Sequence, residues 1–186
     1  MRLFVGVELP ENVKDALWDL QERNRAAAPD AKWVPRDNLH LTMSFLGEVD
    51  EARVDPIREA LHEAAAPGPD VIPTALRSAG AFPNPRRARV VWVGLDDDNG
   101  HLAALAGSVA AGLEQVGFAR EERPWSAHLT VARLRVARDV GDLLGTVVRV
   151  VAFDVDVLTL FRSRLGRPAP IYDPVARIAL GTRNDS

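Results

Sequence analysis

Two copies of one tripeptide, His40-Leu41-Thr42 and His128-Leu129-Thr130, each pair an imidazole with a hydroxyl two residues further on. Each lies in a short run with the composition of a β-strand, residues 39–46 and 127–134. Successive strand side chains point to opposite faces, so the histidine and threonine of each copy share a face while the leucine between them turns away. Side by side, two such strands line a cleft with two histidines and two threonines. Imidazole titrates near neutral pH, so the pair holds one proton donor and one acceptor at once. The hydroxyls donate to an anion whose charge grows between them. Phosphodiester cleavage uses these four groups and requires neither a metal nor a covalent intermediate. One imidazolium protonates the leaving oxygen, the other imidazole takes a proton from the attacking oxygen, and the threonines hold the non-bridging oxygens.

Rival chemistries find less support. A metal site on His40 and His128 lacks an H-x-x-x-H or H-x-E cluster to supply further ligands. Cysteine is absent, which removes disulfides, zinc–cysteine sites and thiol catalysis. No cofactor is expected. His62, in a charged and alanine-rich helical stretch, and His101, after Gly100, read as solvent-facing. Leu41, Met43, Phe45, Leu129 and Val131 fall opposite the histidines and are expected in the core.

The elements that must position the motifs follow from periodicity and punctuation. Residues 2–9 form a first strand, and Pro10 with Glu11 opens a helix through about Arg25, with Val13, Leu17 and Leu20 on one face. A short extended piece, 32–35, leads into the first motif strand. Asp50 caps a second helix carrying Val54, Ile57 and Leu61. Strands are expected at 71–79 and 89–95, separated by the proline-bearing loop Phe82-Pro83-Asn84-Pro85. A third helix covers 101–115, the second motif strand follows, and a helical turn lies near 139–144. Two long alternating runs, 152–164 and 171–180, pair as a hairpin. This order is not the regular alternation of a doubly wound sheet. It predicts an α+β fold of two similar lobes, mainly antiparallel sheet with flanking helices, related by an approximate two-fold about a central cleft. The whole chain, 1–186, is read as one such domain.

With 47% hydrophobic and 26% charged residues the chain has an ordinary globular composition. No run approaches the roughly 18 apolar residues of a membrane-spanning helix. The start, broken by Glu8, does not resemble a signal peptide, so a cytoplasmic protein is expected. Nothing suggests more than a monomer. The net charge of −3 argues against indiscriminate coating of nucleic acid. Among 23 basic residues only Lys14 and Lys32 are lysine, and arginines group at 86–89, 133–138 and 162–167. A coding preference for arginine and a local basic rim both account for these groups. Phe82, Trp92, Trp125 and Tyr172 are candidates for the cleft rim, although Trp33 and Trp125, which precede the motif strands, also fit a core role.

At these residues the chain resembles the two-histidine phosphoesterase superfamily, whose signature is a pair of His-x-Thr-x motifs, here His40-Leu41-Thr42-Met43 and His128-Leu129-Thr130-Val131. Within it the chain most resembles the RNA 2',3'-cyclic phosphodiesterases, once called 2'-5' RNA ligases. The likeness extends to the opening Arg2-Leu3-Phe4-Val5-Gly6-Val7-Glu8-Leu9-Pro10 and to the flanks of both motifs. It implies hydrolysis of a terminal 2',3'-cyclic phosphate to a 2'-phosphate, with His40 as proton donor, His128 as proton acceptor and Thr42 and Thr130 on the phosphate. RNA bearing such an end, tRNA fragments included, or a small nucleotide is the implied partner. Arg133 matches an arginine that contacts phosphate, yet strand alternation puts it on the wrong face unless a twist or bulge intervenes. Ala127 departs from the proline usual before the second motif, which frees one N–H and loosens φ. Readings that remain are a 2'-5' phosphodiesterase or ligase, an enzyme for small nucleotide cyclic phosphates, and a non-catalytic RNA-end-binding module.

Overall fold

The computed structural model describes residues 1–145 and 148–181. Its strands form two antiparallel sheets, four-stranded in the order β3-β1-β8-β9 and five-stranded in the order β2-β6-β5-β4-β7. The strands are β1 (Arg2–Glu8), β2 (Ala31–Trp33), β3 (His40–Glu48), β4 (Ile72–Phe82), β5 (Ala88–Leu95), β6 (His128–Arg138), β7 (Ala152–Val155), β8 (Val157–Arg164) and β9 (Ile171–Ala179). The helices are α1 (Glu11–Asn24), α2 (Val54–Ala65), α3 (His101–Gln115) and the single turn α4 (Gly141–Leu144). No helix among the described residues is long and apolar enough to cross a membrane.

The expected two-lobed α+β architecture is present, and its two-fold is detailed. In one lobe β1 lies between the motif strand β3 and β8; in the other β5 lies between the motif strand β6 and β4. The halves exchange strands. β4, from the first half of the chain, completes the second lobe's sheet, and β8 and β9, from the second half, complete the first. The run 152–164 is therefore not one strand. It divides at Asp156, where β7 leaves β4 and β8 joins β1. Both pieces alternate, so the sequence carries no sign of the change of sheet. The hairpin pairing of β8 with β9 is as expected.

Each sheet buries one face under helices. Val13, Leu17 and Leu20 of α1, Ile57 and Leu61 of α2 and Leu102 and Val109 of α3 are buried with Leu41 and Leu129 of the motif strands in one continuous core. Burying a leucine contributes roughly 1.5–3 kcal/mol, so each motif leucine anchors its strand while histidine and threonine are held on the far face. Gly6 of β1 lies opposite Thr42, and a Cβ there would stand 2.6 Å from the Leu41 carbonyl oxygen. Only glycine permits this approach.

Candidate active site

The two motif strands share an irregularity that strand alternation alone does not foresee. Val5 pairs with Ser44 and Gly6 with Thr42, so Met43 is an extra residue in β3. Val91 pairs with Ala132 and Trp92 with Thr130, so Val131 is the extra residue in β6. The fourth residue of each His-x-Thr-x motif is thus a β-bulge, which reverses the facing of the residues that follow it, as far as a second register shift at Leu46 in β3. Met43 and Val131 are buried, as expected, together with Leu41 and Leu129. Phe45 is not in the core: it is 56% exposed, opposite Phe4 on the histidine face. Arg133 is exposed between buried Ala132 and Leu134, and so joins His128 and Thr130 on their face. The bulge needed to bring Arg133 to the cleft is present.

The histidines are held alike. His40 Nδ1–H donates to the carbonyl of Asn38 at 2.7 Å, and His128 Nδ1–H donates to the carbonyl of Ser126 at 2.9 Å. In each case the acceptor lies two residues before the histidine. A carbonyl can only accept, so the proton sits on Nδ1 and Nε2 is left to exchange protons in the cleft. Thr42 Oγ1 lies 3.0 Å from His40 Nε2, donating to the neutral imidazole or accepting from the imidazolium.

Aromatic rings wall both histidines. His40 packs against Phe4 at 4.8 Å and the edge of Tyr172 at 5.3 Å between ring centroids. His128 meets Phe82 edge-on at 5.0 Å and Trp92 at 6.2 Å. Phe82 pairs with Val90 on β5 as Phe161 pairs with Phe4 on β1, so the aromatic walls follow the two-fold. Burial holds the His40 imidazole below its ordinary range; the Asn38 carbonyl opposes this and the nearby Arg133 cation reinforces it. Burial pushes the Tyr172 phenol up, against the pull of Arg133 and Arg2. Arg133, on the second lobe's motif strand, therefore acts electrostatically on two residues of the first lobe.

Of the rim candidates, Phe82, Trp92 and Tyr172 touch the histidines, whereas Trp125 is packed against the core and ties the lobes together. Its indole Nε1–H donates to the Thr42 carbonyl at 2.9 Å. His101 is exposed and His62 half-buried on α2. Among the described residues no group of three or more His, Cys, Asp or Glu is placed to hold a metal ion.

Two residues near the site were not anticipated. Gln21, fully buried on α1, donates through Nε2 to the carbonyls of Val34 and Val131, each at 2.9 Å. It thereby serves an acceptor of the bulge residue itself. A polar side chain inside the apolar stripe of Val13, Leu17 and Leu20 was the available signal. Lys32 lies directly opposite Arg133 across the β2–β6 pair.

A family model described as LigT-like phosphoesterase matches the chain twice, over residues 7–92 and 93–172, one match to each half of the pseudo-two-fold. The RNA 2',3'-cyclic phosphodiesterase of Methanothermobacter thermautotrophicus is 33% identical over 177 residues, covering 92% of this chain and 95% of the relative. That of Thermus thermophilus is 32% identical over 188 residues, covering 97% and 90%. Among solved structures, a Thermus thermophilus protein superposes with a TM-score of 0.84 at 29% identity, covering 97% of this chain and 98% of that one. Escherichia coli LigT, solved with 3'-AMP, gives 0.78 at 25% identity with the same coverage.

Proposed function

This chain belongs to the LigT-like phosphoesterases, and we propose that it hydrolyses RNA 2',3'-cyclic phosphate ends to 2'-phosphates by metal-independent acid–base catalysis. The observation that carries the reading is the matched tethering of His40 and His128 through Nδ1, which leaves two Nε2 atoms for proton transfer. His128 Nε2 takes a proton from water as its oxygen bonds to phosphorus. The bond from phosphorus to O3' breaks, and the His40 imidazolium gives its Nε2 proton to that oxygen. Thr42 and Thr130 donate to the non-bridging oxygens, and Arg133 offsets their charge as it grows. Burial and Arg133 disfavour the His40 imidazolium in the free protein, and the negative charge of the bound cyclic phosphate favours it, so the acid takes up its proton as substrate binds.

The test uses chelator-treated protein and a synthetic RNA with a 2',3'-cyclic phosphate end. Turnover to the 2'-phosphate is expected to persist in EDTA. It is expected to fall by at least about 100-fold, the usual scale of a lost acid or base, in His40→Ala and in His128→Ala, with unchanged circular dichroism. Full activity in either variant overturns the proposal.

A further inference from the structure

Lys32 is one of two lysines in the chain, and its setting is electrostatically unfavourable. In the β2–β6 pair, Ala31, Lys32 and Trp33 lie opposite Leu134, Arg133 and Ala132. Ala132 and Leu134 are buried, and Ala31 and Trp33 pack on the same core. Lys32 and Arg133 therefore share the other face, the one carrying His128 and Thr130, and both are exposed. Directly opposed side chains start only about 4.5–5.5 Å apart at Cβ, and like charges so placed repel. Among the described residues neither cation has a carboxylate partner, whereas Arg36, Arg77, Arg138, Arg164 and Arg177 are each paired with one. Two unneutralised cations side by side at a cleft suit a ligand with two anionic groups.

A 2',3'-cyclic phosphate carries one negative charge, which Arg133 and the two threonines meet. We infer that Lys32 binds a second phosphate, the one on the 5' side of the reacting nucleotide, and that this phosphate is the internucleotide link of an RNA strand. The inference rests on the hydrolase reading above and adds to it a residue outside the two motifs, Lys32, that holds the strand on the 5' side of the reacting nucleotide. A 5'-phosphate on a single nucleotide has the same local chemistry, so the test separates the two sources.

Wild type and Lys32→Gln are compared on adenosine 2',3'-cyclic phosphate, on its 5'-phosphorylated form, and on the dinucleotide ending in the same cyclic phosphate. Glutamine removes the charge without creating a new ion pair to Arg133. The expected result is a loss of about tenfold or more in kcat/KM on the dinucleotide, the scale of a contact to a charged group, with the unphosphorylated nucleoside cyclic phosphate unchanged. The salt dependence of dinucleotide turnover is also expected to flatten, by about 0.7 in log–log slope. Equal losses on all three substrates, or no loss on any, overturn the inference. A loss confined to the 5'-phosphorylated mononucleotide overturns the RNA strand as its source. Absence of wild-type turnover on all three overturns the hydrolase reading alone. In that case the affinity of wild type and Lys32→Gln for the dinucleotide 2'-phosphate against adenosine 2'-phosphate decides the role of Lys32, and an unchanged ratio overturns it.

Discussion

The side-chain amide of Gln21 donates to the main-chain carbonyl of Val131, the residue that interrupts the second motif strand. The same carbonyl accepts from the Val34 N–H at 3.0 Å, so helix α1 and the chain after β2 converge on the bulge. The bulge in turn decides that Arg133 faces the cleft. A buried glutamine remote from the cleft is thereby linked to the placement of its arginine.

Gln21→Leu retains bulk and removes both donated bonds, leaving the Val34 carbonyl without its side-chain donor. A buried group stripped of its partner costs about 1–3 kcal/mol, and each kcal/mol lowers Tm by about 2–4 °C in a chain of this size. A Tm loss of several degrees is therefore expected, together with a fall in kcat/KM. The diagnostic measurement is a double-mutant cycle with Arg133→Met. If Gln21 acts through the arginine, adding Gln21→Leu to Arg133→Met costs little further activity. Fully multiplicative losses would show a role in stability alone.

The reach of the sequence can be judged at the motifs. His40, Thr42, His128 and Thr130 were legible because a strand's two-residue period is a local property, and it holds through Met43 and Val131. Beyond them it fails at Phe45 and is corrected at Arg133, because a bulge is an arrangement with partner strands and, at Val131, with a helix 110 residues away. The exchange of β4, β8 and β9 between lobes was hidden for the same reason. A strand's alternation records that one face is buried, not which sheet buries it. The aromatic walls were only half visible: Phe82, Trp92 and Tyr172 could be nominated, but their assignment to particular histidines required the register.

Trp125 provides a second test, of the tie between lobes. Trp125→Phe keeps a ring in the core and removes the donor to the Thr42 carbonyl. The expected cost is about 1 kcal/mol of stability, read as a Tm shift of a few degrees. Because that carbonyl belongs to a motif residue, kcat is expected to fall several-fold with KM less affected. An unchanged kcat would mean that the bond steadies the fold without aligning the motifs.

Gly6→Ala tests the close packing beneath the first motif. The new methyl would meet the Leu41 carbonyl oxygen, a backbone atom that cannot swing aside, and would lie 3.5 Å from His40 Cδ2 and from Phe161 Cε2. Overpacking of this kind costs typically about 1–3 kcal/mol. Both Tm and turnover are expected to drop. Gly107→Ala, on the open side of α3 where a methyl meets nothing within 4 Å, should leave turnover unchanged and raise Tm by a few degrees, since alanine is favoured over glycine by about 1 kcal/mol in a helix interior.

The protonation of His40 gives a prediction whose sign is fixed. Burial and the Arg133 cation both disfavour the imidazolium, and together they outweigh the Asn38 carbonyl that favours it. An NMR titration of the His40 ring is therefore expected to lie below the roughly 6.5 of a free histidine. Arg133→Met removes one depressing influence and leaves burial, so the titration should move upward without reaching the free value. Since the folded-state value is depressed, the linked stability is present above the unfolded-state value and is lost as pH falls through the folded one. Acid unfolding of Arg133→Met should accordingly show a smaller contribution from His40 than wild type. The bound phosphate brings a negative charge beside Nε2, so adenosine 2'-phosphate should raise the His40 titration in the wild-type protein. A titration indifferent to both the arginine and the phosphate would separate His40 from the site that the two lobes form.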